Sequence, residues 1–449
     1  MYKWLKNIEF TKAPSSSPHA LTALMVLLRL ISIAAIVFFT ASACATYPYP
    51  KTHIVPIEKF PEFAAPDGSL IGPASADASI PDVDILALND EIRSILDESV
   101  AGIKNPWKRL NMLGDLISKR VKYDTMDDKF GTRTAIETFE SGKGNCLSFV
   151  NLFVATARYV GLHSGYQDVR TPPNWIRNRE GLFVTRHIGA FIEIESHSER
   201  AYRIDFIDGN KGIIMWDNKA RYLVAPSLDA GTDYVGPSST RSITDNKAFA
   251  QYYNNIASEY LVEEKTTKAY RYFIKAIKTD PELGFAWSNL GIVYSWNNQY
   301  DAAEKAYLQG LSINRGRDDT LEMTILNNMA RLYLKTERKE EAAYYEKIVA
   351  SFREKNPYYH FSLGRIAFDS GLKEEAIKEF REAIRRKDDE HLFHYALAVT
   401  YIELKDFKNA EKSLKKASSR AWDREQKDYY EHALENLQKT VAEDQKTAG

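Results

Sequence analysis

The stretch Gly144-Asn145-Cys146-Leu147-Ser148-Phe149-Val150-Asn151-Leu152-Phe153-Val154-Ala155-Thr156-Ala157-Arg158-Tyr159 decides the fold of the first half of the chain. Val150, Phe153, Val154 and Ala157 recur at three and four residues, the spacing of one helical stripe. Ser141 to Asn145 is turn-rich and Gly161 stands where a C-terminal cap belongs, so Cys146 falls in the first turn of a helix. Partial positive charge at a helix start favours thiolate over thiol. A paired imidazolium favours it further, and a cysteine so placed can attack a carbonyl near neutral pH.

Downstream the period changes to two. Ile188, Ala190, Ile192 and Ile194 alternate with His187, Gly189, Phe191 and Glu193, and Tyr202, Ile204 and Phe206 alternate with Arg203 and Asp205. The polar segment Glu195 to Arg200 is short enough for a hairpin, so the two strands should pair antiparallel. With both apolar sets on the core, His187 and Asp205 share the other face. Asp208 continues the apolar register, which selects Asp205 as the carboxylate. Taken singly, a cysteine in an apolar helix is packing, a strand histidine is a satisfied core or surface group, and an aspartate near a strand end forms a turn.

As an ordered set in helix, strand and strand, these residues resemble the transglutaminase-like superfamily, a branch of the papain-like fold, over roughly Asn89 to Tyr222. The resemblance rests on the GNC turn at Cys146, the RH pair ending at His187 and the YRIDF strand carrying Asp205. It implies an α+β domain in which Cys146 is the nucleophile, His187 the general base and acid, and Asp205 the group that orients the imidazole. No cofactor is implied. The substrate class would be an amide or peptide bond, cut by water or transferred to an amine. Asn145 and Trp175 are candidates for oxyanion or substrate contact. Thr171 to Glu180, with Pro172, Pro173 and Trp175, reads either as a loop lining the cleft or as a plain connection. Amphipathic patterns at Asn89 to Val100, Trp107 to Ser118 and Thr132 to Phe139 complete a helical lobe, giving a domain over residues 86–225.

The second half repeats. Tyr253, Ile256, Ala257, Tyr260, Ala269, Phe273 and Ala276 return as Trp287, Leu290, Gly291, Tyr294, Ala303, Tyr307 and Gly310, a shift of 34 residues. The phase recurs at Leu363, Gly364, Ala376, Phe380 and Ala383 and at Leu397, Ala398, Tyr401, Ala410 and Ala417. A degenerate copy at Met329, Ala330, Tyr333 and Ala342 has extra residues before the next. This pattern resembles tetratricopeptide (TPR) repeats over about residues 250–423, an all-α superhelix of about five repeats followed by a capping helix and tail in residues 424–449. Asn255, Asn289 and Asn328 share one position on the first helix of their repeats. They would form either a ladder for an extended peptide or hydrogen bonds between repeats.

At the other end, Lys3, Lys6, Lys12 and Arg29 flank the apolar run Leu30 to Phe39, and Thr40-Ala41-Ser42-Ala43-Cys44 follows. That pattern resembles a bacterial lipoprotein signal, which implies lipidation of Cys44. Ala45 after the cysteine implies the outer membrane, with the protein facing the periplasm. The alternative is an uncleaved inner-membrane anchor over Leu21 to Ala43. Pro48, Pro50, Pro56, Pro61, Pro66, Pro73 and Pro81 mark residues 45–85 as a helix-free tether, reaching up to ~100 Å at ~3 Å per residue. Cys44 and Cys146 are the two cysteines of 449 residues, so no disulfide framework is built. A formal net charge of -1 without basic-aromatic clusters argues against nucleic acid, and the nine histidines are too scattered for a metal cluster. The chain therefore reads as a membrane-tethered thiol enzyme whose repeats recruit a protein partner or substrate. A non-catalytic scaffold lipoprotein is the alternative.

Overall fold

The computed structural model describes residues 55–123, 131–178, 181–194, 200–205, 214–217, 240–314, 316–421 and 424–447. The apolar run, Cys44 and Asp208 lie outside the described residues. Among these residues no helix is long and apolar enough to cross a membrane.

The chain opens with a 3-10 turn at Ile57–Lys59, a small hairpin of β1 (Phe63–Ala64) and β2 (Leu70–Ile71), and helix α1 (Pro73–Ala78). A helical lobe follows: α2 (Asp90–Leu96), α3 (Pro106–Arg120), β3 (Lys122–Tyr123), α4 (Ala135–Ser141), β4 (Lys143–Gly144) and α5 (Cys146–Tyr159). Asn89, Asn105, Thr134 and Asn145 each accept a backbone N–H of the helix they precede, so sequence-coded caps set four helix starts. Thr134 and Glu137 complete a reciprocal capping box.

Helix α5 departs from the single-stripe expectation. Every residue from Leu147 to Ala157 is buried, because α3 and α4 cover one side and a sheet covers the other. That sheet contains β5 (His163–Asn178), β6 (Gly181–Ile194), β7 (Arg200–Asp205), β8 (Ile214–Asp217) and β9 (Thr240–Ile243). Their order is β8-β7-β6-β5-β9, with every neighbouring pair antiparallel. Ala190 pairs with Ile204 and Ile192 with Tyr202, the alignment anticipated from the alternation. Ile188, Ala190, Ile192 and Ile194 are all buried.

The segment Thr171 to Glu180 requires a correction, since Thr171 to Asn178 belongs to β5 rather than to a loop. Pairing is regular from His163 to Val169, breaks, and resumes at Asn174 opposite Thr185. Pro172 and Pro173 fall in the break, because a residue without an N–H cannot take part in the ladder.

The repeats are α6 (Asp245–Val262), α7 (Thr266–Thr279), α8 (Gly284–Trp296), α9 (Tyr300–Asn314), α10 (Asp319–Lys335), α11 (Lys339–Lys355), α12 (Pro357–Asp369), α13 (Lys373–Arg386), α14 (His391–Glu403) and α15 (Phe407–Arg420). Helix α16 (Arg424–Thr447) packs on α15 at the end of the array. Within each repeat the turn residue takes left-handed backbone. Those residues are Glu264, Asn298, Glu337, Gly371 and Lys405, at successive spacings of 34, 39, 34 and 34. The five extra residues therefore precede the degenerate copy rather than follow it. A methyl at Gly291 would lie 2.4 Å from the Tyr307 ring, and one at Gly364 would lie 2.5 Å from Phe380. Small faces large at the helix crossing, as the repeat pattern requires.

The expected tether is also corrected from Val55 onward. Ile57, Phe60, Phe63 and Ile71 are buried, and the segment straps across the first two repeats. Phe63 stacks on Tyr270 with centroids 4.6 Å apart, and Phe60 lies 4.9 Å from Trp287. Ala64 N–H donates to Gln299 Oε1 at 2.9 Å, Gln299 Nε2 donates to Glu62 O at 2.9 Å, and Tyr294 OH donates to Pro61 O at 2.8 Å. Lys278 pairs with Asp77 at 2.9 Å, and Lys275 pairs with Asp82. The prolines exclude long regular elements, but they do not stop aromatic residues between them from being buried.

His391 and His394 on α14 are structural. His391 is fully buried with Nδ1 2.6 Å from Tyr430 OH of α16, and His394 Nε2 lies 2.9 Å from Asp388 O. Burial, followed by the charges of His394 and Lys387, pushes His391 down to about 4.

Two outcomes follow from this packing. Phe63→Ala removes a fully buried ring and should lower stability by about 3–5 kcal/mol, read from denaturant midpoints. Because the folded pKa of His391 is depressed, its contribution is intact above its unfolded value and is lost as pH falls toward about 4. Buried Glu390, 3.9 Å from His391 Nε2 and raised by burial, partly offsets the loss by taking up a proton. The midpoint should fall between pH 6.5 and about 4, and His391→Gln should flatten that fall.

Candidate functional site

The amino end of α5 is assembled by contacts from three directions. A methyl at Gly144 would lie 2.6 Å from Ser148 Cβ, so the glycine of the GNC turn is a steric requirement of the helix start. Asn145 Oδ1 accepts from Ser148 N–H at 3.0 Å, and Asn145 Nδ2 donates to Thr132 Oγ1 at 2.7 Å. The Ser148 hydroxyl accepts from Arg133 N–H at 2.9 Å and lies 2.9 Å from Gly131 O. Deeper in the helix, Asn151 Nδ2 donates to Arg133 O at 3.1 Å and its Oδ1 accepts from Tyr166 OH at 2.8 Å. Cys146 is the first residue of this capped helix, and its side chain is half-buried.

Asn145 therefore serves as the helix cap, with its carbonyl and one amide hydrogen already engaged. Trp175 lies on β5 opposite Val184.

The sheet fixes where the other two candidates stand along the chain. His187 pairs with Val169 at the last position before the β5 pairing breaks; on the far side, Thr185 pairs with Asn174. Four residues of β5 thus lie opposite Arg186 alone, a bulge beside position 187, and such bulges recur next to active sites. On β7, Asp205 is the residue after Ile204, which closes the β6–β7 ladder with Ala190, and Asp205 pairs with Ile214 on β8. Positions 187 and 205 belong to the same odd-numbered register set as the pair Phe191 and Arg203. The even-numbered face is the one against α5, since Tyr166, opposite Ala190, reaches Asn151.

In the array, Asn289 and Asn328 are buried. Asn289 Nδ2 donates to Asn254 Oδ1 at 3.2 Å, a bond between consecutive repeats. Asn255 is half-buried on α6. Among the described residues no group of three or more His, Cys, Asp or Glu is placed to hold a metal ion.

The first repeat helix also touches the α+β domain. Arg158 of α5 forms a two-pronged ion pair with Asp245 at 2.6 and 2.9 Å, which raises the guanidinium pKa. The Tyr166 and Phe249 rings meet edge-on at 6.3 Å, and Thr132 N–H donates to Glu259 Oε1 at 3.0 Å. Sequence reasoning passed over Thr132, Ser148 and Glu259. Ser148, three residues after a capping Asn, carried a signal that could have been used, whereas Glu259 carried none.

Comparison with known proteins agrees with this division. The transglutaminase-like superfamily model matches residues 93–188. Tetratricopeptide repeat models match residues 250–283, 282–355, 327–391 and 393–421. Protein STIP1 homolog of Dictyostelium discoideum is 31% identical over 145 residues, which is 31% of this chain; the match spans 23% of that relative's length. The TPR protein YrrB is 20% identical, with 41% of this chain and 92% of that one covered and a TM-score of 0.21. PilF of Pseudomonas aeruginosa is 16% identical, with 44% and 100% covered and a TM-score of 0.23. The chain carries a transglutaminase-like domain followed by tetratricopeptide repeats.

Proposed function

We propose that this chain is a membrane-attached thiol enzyme acting on amide bonds, with its repeats recruiting a protein substrate or partner. The observation that carries the reading is the seat of Cys146, half-buried first residue of a helix whose amino end is capped by Asn145, where the helix dipole favours thiolate. In this reading the Cys146 thiolate attacks the amide carbon while His187 holds the thiol proton. The imidazolium then passes that proton to the departing amine, leaving a thioester on Cys146. Water restores the thiol and releases an acid, or an amine takes the acyl group. Asp205 orients the imidazole, and the bulge beside position 187 leaves that stretch of β6 without a regular neighbour.

Lipid on Cys44 would anchor the protein in the outer membrane. With Val55 N–H held by Gln309 at 3.1 Å, the span available for reach is Ala45 to Ile54. That span covers about 35 Å at full extension, about a third of what the proline content suggested. A second reading, a scaffold whose domain binds protein without turnover, draws support from the register. Helix α5 packs on the even-numbered face of the sheet, whereas positions 187 and 205 belong to the odd-numbered set.

Alkylation rates separate the two readings. Cys146 should react with iodoacetamide near neutral pH about tenfold or more faster than it does in His187→Ala; equal rates favour the scaffold. Membrane attachment has its own readout. Cys44→Ala should move the protein from the membrane fraction to the soluble fraction, and retention of the variant would assign attachment to the apolar run instead.

A further inference from the structure

We propose that Glu259, on the first repeat helix, is a positioning residue for the Cys146 turn. The inference rests on the reading of Cys146 as a nucleophile and adds a residue that lies 127 positions from the loop it holds. The connection is a short series of hydrogen bonds. Glu259 Oε1 accepts the Thr132 N–H at 3.0 Å, Thr132 Oγ1 accepts from Asn145 Nδ2 at 2.7 Å, and Asn145 Oδ1 accepts from Ser148 N–H at 3.0 Å. Asn145 is the cap immediately before Cys146.

The neighbours of Thr132 are held from inside the α+β domain. Gly131 O and Arg133 N–H meet the Ser148 hydroxyl, and Arg133 O meets Asn151. The Thr132 N–H is met from the array instead. Thr132 is buried, so without Glu259 its amide has little access to water and the loop must shift to recover a partner. A shift of Thr132 moves the acceptor of the Asn145 amide, and with it the cap that orients the first turn of α5. The Arg158–Asp245 ion pair and the Tyr166–Phe249 contact seat α6 independently of this bond. Changing Glu259 therefore tests the link without undocking the helix.

The experiment compares the full chain with Glu259→Ala and Glu259→Gln, measuring iodoacetamide alkylation of Cys146 across pH and amide hydrogen exchange over residues 131–148. Glutamine keeps an acceptor oxygen at the same reach, whereas alanine does not. Glu259→Ala should slow alkylation about three- to tenfold and move its pH midpoint to the alkaline side, while Glu259→Gln stays within about twofold of the parent. Exchange over residues 131–148 should quicken in the alanine variant and be restored by glutamine. Unchanged exchange in Glu259→Ala, or equal changes in both variants, would overturn the proposal. The exchange readout does not depend on thiol reactivity. A parent thiol no faster than that of His187→Ala would refute the nucleophile, while exchange quickened in the alanine variant alone would still carry the link.

Discussion

Helix α5 is enclosed from Leu147 to Ala157, and most of the architecture answers to that enclosure. A helix leaves its first amides without partners, and at the surface water meets them. Here Leu147 to Ala157 are all buried, and the Ser148 N–H at the amino end is met by the Asn145 side chain. The Gly131–Arg133 loop, the Asn145 cap, the Ser148 hydroxyl and the absence of a side chain at Gly144 are parts of one solution. Cys146 itself stands at the edge of this enclosure, half-buried at the helix start where the dipole favours negative charge.

That solution is completed from outside the α+β domain, which alters the meaning of the repeats. A recruiting arm on a flexible joint would leave the domain self-sufficient. Here α6 begins the array and also supplies Asp245, Phe249 and Glu259 to α5, β5 and the cap loop. The strap of residues 55–82 adds a second connection, since Phe63 is buried against Tyr270 and the chain then runs on to Ile85, whose carbonyl accepts from Ala135 N–H at the start of α4. The first two repeats are thus part of the scaffold around α5, and the repeats beyond them extend from a fixed base.

The sequence made periodicity legible and left irregularity obscure. The alternation at Ile188 to Ile194 placed β6 and its antiparallel partner, and the 34-residue phase placed the repeats, because both signals arise from residues buried on one face. Thr171 to Glu180 was opaque because Pro172 and Pro173 also suit a loop. Only the pairing on either side reveals a strand that bulges around them. The strap was misjudged for a related reason. Proline density suggested a helix-free segment, yet Pro73 starts the short helix α1, and burial of Phe60 and Phe63 depends on Tyr270 and Trp287 more than 200 residues away. Glu259 was invisible because a carboxylate on a repeat helix looks like solvated surface until the loop it holds is seen.

The hairpin of β5 and β6 carries the consequence furthest. Its strands lie against α10 and α12, the first helices of the third and fourth repeats, and against α5. The diproline bulge interrupts this hairpin beside His187, between Val169 and Asn174. Pairing resumes beyond it, so the hairpin keeps its hydrogen bonds on both sides of an irregular stretch. The strand that bears His187 is therefore in contact with its sheet neighbours, with α5 and with α10.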